Sequence, residues 1–100
     1  MATQLRKYTI KKGQMADFVA SWMDNVYPLR LKHGFKVEHA GVLDDSDEFV
    51  CVLTDGDGDD WDTREAAYYG SEEHAQLEPL LAPHIGGGET WFIRSVVPPL

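Results

Sequence analysis

One cysteine in 100 residues leaves no disulfide to staple so small a chain. That residue, Cys51, lies mid-strand between Phe49-Val50 and Val52-Leu53, which reads as a packed thiol in a reducing, cytoplasmic setting rather than a nucleophile. Basic charge is scarce as well: nine Lys and Arg face 17 Asp and Glu, for a formal net charge of -8. A surface so acidic repels polyanions, which argues against nucleic acid and anionic membranes as partners. No apolar run approaches the roughly 20 residues of a membrane-spanning helix, and Met1 to Lys12 alternates polar and apolar residues without the core of a signal peptide. Metal and phosphate motifs are missing too. His33, His39, His74 and His84 lack zinc-like spacing, and Gly86-Gly87-Gly88 lacks the lysine and helix that follow a phosphate loop. The expectation is one cytoplasmic domain, residues 1–100, with no bound metal or cofactor.

What is present is apolar strand. Hydrophobic residues make up 43% of the chain, with three tryptophans, too much for a disordered segment. Phe49 to Leu53 is apolar at every position, so this strand is expected to be buried on both faces. A chain of this length has little with which to cover a sheet twice. The second cover is expected from another copy of the protein, with a ligand pocket where the two sheets meet.

Strand signals run from Leu5 to Ile10, Phe35 to Leu43, Glu48 to Thr54 and Glu89 to Val97, and Pro98-Pro99 stops the last. Met15, Phe18, Val19, Trp22, Met23 and Val26 recur at helical spacing. That helix is expected to kink if it continues through Pro28, and to end at Gly34. Asp44-Asp45-Ser46-Asp47 makes a hairpin turn between strands two and three. A second helix is expected at Asp62 to Tyr69, capped by Asp62 with Glu65 completing the box, and a third from Ser71 to Leu77. Strand, helix, strand, strand, helix, strand is the order of an α+β ferredoxin-like βαββαβ fold: a four-stranded antiparallel sheet with helices on one face. Two bare sheet faces would close into a dimeric α/β barrel.

Leu5-Arg6-Lys7-Tyr8-Thr9-Ile10-Lys11-Lys12-Gly13, then Phe18 and Trp22, Val26-Tyr27-Pro28-Leu29-Arg30 into His33-Gly34-Phe35, and Glu48-Phe49-Val50 resemble NIPSNAP-type proteins of the dimeric α/β-barrel superfamily. Ala66-Ala67-Tyr68-Tyr69 before Ser71 continues the likeness over nearly the whole chain. The resemblance implies a homodimer with a ligand cleft. The superfamily includes cofactor-free monooxygenases of antibiotic biosynthesis, haem-degrading enzymes, isomerases and cyclases, so it leaves the reaction open. Haem-degrading relatives combine an asparagine, a tryptophan and a histidine; Asn25 lies on a helix here and no first-strand asparagine matches, which argues against that activity.

Arg6 leads the candidate residues, because an always-charged guanidinium on a central strand needs an anion. That anion is either a protein carboxylate, Glu38, Glu48 or Glu89, or a ligand carboxylate or enolate. Tyr8, on the same face, can donate to the same oxygen or merely satisfy a backbone carbonyl. His39, read on the face of Phe35, Val37 and Leu43, is either a proton acceptor or a satisfied core histidine. Arg94 on the last strand follows the logic of Arg6. Trp61, Tyr69 and Trp91 can wall a flat ligand or simply pack the core. Asp55-Gly56-Asp57-Gly58-Asp59 invites a calcium reading, but Asp60 and Ala66 stand where an EF-hand needs glycine and glutamate, so a solvated loop is expected. Together these point to a homodimeric protein for a small apolar or aromatic molecule: either a cofactor-independent enzyme working by proton transfer and enolate stabilisation, or a scaffold in which nothing reacts.

Overall fold

The computed structural model describes residues 1–56, 58 and 60–99. Its elements are β1 (Thr3–Ile10), α1 (Met15–Ser21), a π-helical turn (Trp22–Val26), α2 (Tyr27–Lys32), β2 (Lys36–Val42), β3 (Glu48–Thr54), α3 (Trp61–Tyr69), α4 (Glu72–Leu81), a 3-10 turn (Ala82–His84) and β4 (Ile85–Ile93). The strands form one antiparallel sheet in the order β2-β3-β1-β4. This is the ferredoxin-like arrangement, and it makes β1 central.

Alternation along the strands sorts the side chains onto two unlike faces. Arg6 pairs with Cys51 and Tyr8 with Phe49, and all four lie under the helices, where Phe18 meets Phe49 at 5.2 Å and Trp22 meets it at 5.1 Å between ring centres. Leu5, Val50 and Val52 turn to the other face and are only half-buried. The apolar run of β3 is therefore covered by its own chain on one side alone.

Pro28 does not produce a simple kink. The turn before it widens, so that the Tyr27 N–H bonds to the Trp22 carbonyl five residues back, and Pro28 enters at the first turn of α2, where its missing N–H costs least. The extra residue per turn shifts the buried stripe: Phe18 and Trp22 are buried, but Met23, expected beside them, is 47% exposed. Gly34, at φ +85°, ends the helical run as expected, since a left-handed residue there favours glycine.

Three further differences from expectation have a structural cause. First, β4 spans Ile85–Ile93 rather than Glu89–Val97, because its ladder to β1 ends where β1 begins, at the pair Thr3 and Ile93. Gly86 to Gly88, which precede the expected start at Glu89, are in the strand; a Cβ on Gly88 would stand 3.1 Å from the Tyr8 ring, so glycine makes room for that ring. Second, α4 runs on to Leu81 through Pro79, held by burial of Leu77 and Leu81 one turn apart. Third, Asp62 does not cap α3. Asp60 holds the N-cap position without a side-chain bond, and Glu65 is drawn inward to Arg30. Ser71 does cap α4, accepting the His74 N–H at 3.1 Å.

Candidate functional site

A cavity of about 240 Å³ lies between the helix-facing side of the sheet and the helices. At the roughly 30 Å³ a water occupies in the liquid, this equals about eight waters, room for one small molecule. Tyr8, Cys51 and Leu53 form part of its floor, Phe18, Trp22 and Val26 one wall, and His74, Leu77 and Leu81 its α4 side. This pocket sits under the helices of a single chain, whereas the sequence reading put the ligand pocket where two sheets meet. Arg6 is part of this lining, and its charged head needs polar partners rather than hydrocarbon.

Arg6 is 8% exposed and is held by neutral groups. Its Nε donates to the Tyr8 hydroxyl at 2.9 Å, one terminal nitrogen to Gln4 Oε1 at 2.7 Å, and the other to the Tyr69 hydroxyl at 2.8 Å. Glu65 stands off at 3.7 Å. Burial pulls the Arg6 pKa down, but the Tyr8 and Tyr69 oxygens and Glu65 outweigh it and leave it above the ordinary arginine value. Burial also pushes the Tyr8 phenol up, against the pull of Arg6, so Tyr8 accepts from the guanidinium as a neutral hydroxyl. A phenol that accepts still has its own O–H to give. Arg6, Tyr8 and Tyr69 all line the cavity.

A second buried cation adjoins the first. Arg30, 2% exposed, bonds Glu65 Oε1 at 2.6 Å and stacks over the Tyr68 ring at 3.8 Å, with Phe35 at 4.7 Å. Two guanidiniums share one carboxylate among these contacts, a charge of +1 within the buried cluster, while the exposed Glu78 brings a second carboxylate to the cavity lining. Buried cations in excess of anions attract an anion.

No family profile and no curated protein matches the chain. Solved structures do match. A NIPSNAP domain protein from Burkholderia xenovorans superposes with a TM-score of 0.86 at 14% identity, covering 96% of this chain and 95% of that one. A NIPSNAP family protein from Agrobacterium tumefaciens gives 0.82 at 17% identity, over 93% and 86%. The chain has the fold of the NIPSNAP proteins. An antibiotic biosynthesis monooxygenase is similar at a TM-score of 0.72 and 16% identity, over 96% and 99%.

Of the residues singled out in the sequence, this NIPSNAP-type fold gathers Arg6, Tyr8 and Tyr69 at the cavity and scatters the others. His39 is exposed, on the opposite face. A bulge between Val37 and His39 breaks the pairing with β3, so Val37 opposes Leu53 while His39 opposes Val52, and the face read from simple alternation is reversed. Trp91 pairs with Leu5 on that same open face and approaches Lys7 at 6.0 Å. Trp61 packs edge-on to Phe35 at 5.1 Å and Phe92 at 5.3 Å, away from the cavity lining. Arg94 lies beyond the end of β4 and is exposed. None of the expected carboxylates reaches Arg6; Glu48 and Glu89 serve Lys7 instead, at 3.0 and 4.0 Å. Asp55 is buried and accepts the Ala2 N–H at 2.9 Å, while Asp57 and Asp59, on which the cation question turned, lie outside the described residues. Among those described, no cluster of three or more His, Cys, Asp or Glu side chains suits a metal.

Sequence reasoning missed Gln4, Arg30, Glu65 and His74. Arg30 had a legible signal: it falls four residues after Val26, itself four after Trp22, on a stripe read as apolar. Glu65 and His74 had none, because what brings them to the cavity is the docking of α3 and α4.

Proposed function

We propose that this protein binds a small, largely apolar and flat molecule carrying one anionic or enolisable oxygen, which docks on Arg6 and the Tyr8 and Tyr69 hydroxyls. The carrying observation is the Arg6 guanidinium, buried against hydroxyls and an amide with its nearest carboxylate contact at 3.7 Å. Donors fixed in advance around a desolvated site stabilise negative charge developing on oxygen. The chemistry that follows is proton transfer with an enolate intermediate, as in isomerisation or cyclisation, and it asks for no cofactor. A pure scaffold has no use for a cavity floored by a charge. The open sheet face, with Leu5, Val50, Val52, Trp91 and Ile93, completes the reading as the contact of a homodimer, since burying it twice removes roughly 1,000 Å² or more from water.

Benzoate and its neutral isostere benzamide test the binding claim by calorimetry and thermal shift. Benzoate is expected to bind and raise the melting temperature while benzamide does not. Arg6→Met should weaken benzoate about 10- to 100-fold, the range of a charge-assisted hydrogen bond worth ~1.5–3 kcal/mol. Equal affinity for the two compounds, or a folded Arg6→Met variant that binds benzoate as well as the native chain, overturns it.

A further inference from the structure

Within the binding reading above, on which this inference rests, we infer that His74 is the proton acceptor of the pocket, removing a proton from the carbon next to a carbonyl whose oxygen lies on Arg6, Tyr8 and Tyr69. His74 lines the same cavity as Arg6. Tyr69 links the two: its ring meets the imidazole edge-on at 4.7 Å, and its hydroxyl takes the Arg6 bond at 2.8 Å. A small molecule lying along Tyr69 touches both an acceptor of protons and a cluster of donors, the pairing that enolisation requires. The residue is held in place at its backbone and at its ring. Ser71 fixes its backbone, and the rings of Tyr68, at 5.0 Å, and Tyr69 clamp it edge-on.

The groups facing His74 favour a neutral ring. Burial between α3 and α4 lowers its pKa, Glu78 on its own helix raises it, and Arg30 from α2 lowers it again, for a net shift downward. A neutral imidazole at pH 7 is a base ready to act. The step balances without any redox partner. The C–H bond breaks, its proton goes to the imidazole, and the electron pair moves to the carbonyl oxygen as an enolate facing Arg6. Return of that proton to the same or a conjugated carbon gives a product with the substrate's own charge and a neutral imidazole. The substrate class is thus a small carbonyl compound with an acidified neighbouring C–H.

Phenylpyruvate, flat, anionic and slowly enolising, is a suitable probe. Deuterium incorporation at its methylene in D2O, followed by NMR, reads the proton transfer, and calorimetry reads binding separately. The native chain should accelerate exchange. His74→Gln and His74→Asn, with folding checked by circular dichroism, should bind the probe within about threefold of native and lose exchange by roughly 100-fold or more, the usual share of a general base. The native rate should rise with pH through an apparent pKa below that of free imidazole, and Glu78→Gln should move that pKa further down. Bound probe with no accelerated exchange, or exchange indifferent to both His74 variants, overturns the role of His74 and leaves the binding reading standing. Failure of the native chain to bind the probe or benzoate overturns both.

Discussion

Replacing Glu65 by glutamine keeps the shape and one acceptor oxygen while removing the only carboxylate that pairs with both buried guanidiniums among the described residues. Breaking a buried ion pair from one side costs ~3–5 kcal/mol. The Glu65 side chain is 21% exposed and the amide can still accept from Arg30, so the expected loss is about 2–3 kcal/mol, given that water and the remaining bond recover part of it. For a domain of this size each kcal/mol moves the melting temperature by roughly 4–8 °C, so a drop of about 10–20 °C is expected. Urea titration at low salt measures the loss directly. The substitution also raises the charge within the buried cluster from +1 to +2, so benzoate should bind Glu65→Gln more tightly than the native chain and recover part of its stability. A loss under about 0.5 kcal/mol, or weaker benzoate binding, refutes the charge argument on which the pocket rests.

Burial pushes the Cys51 thiol up to about 11 and the Tyr68 phenol up to about 12. Each keeps its proton in the folded chain where the unfolded chain gives it up, so their contribution to stability is whole below pH 9 and falls away as pH climbs through 11 and 12. A stability profile flat from pH 9 to 12 contradicts this, as does native Cys51 reacting with a thiol reagent at pH 8 as fast as it does in urea. On the open sheet face, Val52→Glu places a charge at the centre of the proposed dimer contact. Sedimentation equilibrium should show a native dimer at micromolar concentration and a Val52→Glu monomer; a native monomer removes the dimer.

Much of the architecture was legible because local rules decide it. The turn at Asp44 to Asp47, the break at Gly34 and the cap at Ser71 each depend on a few neighbouring residues, and all three stand in the fold. Arg6 and Tyr8 were legible because alternation on an unbroken central strand puts them on one face. Alternation failed for His39, two residues past Val37, because the bulge at Glu38 is a property of how β2 meets β3 and leaves no mark on β2 alone. It also misjudged β4, whose span was set by the length of β1 and whose Gly88 makes room for the Tyr8 ring on the neighbouring strand.

The order of strands and helices, the apolar stripe of the first helix and the presence of a cation on the central strand were settled by the residues themselves, since each reflects periodicity or charge along a contiguous stretch. Which face holds the cavity, which carboxylate approaches the cations and which histidine joins them were decided only when α3 and α4 docked. The contacts of Arg6 and Arg30 with α3 join residues 35 to 63 positions apart, and a burial cost shared over such distances is invisible to any local pattern.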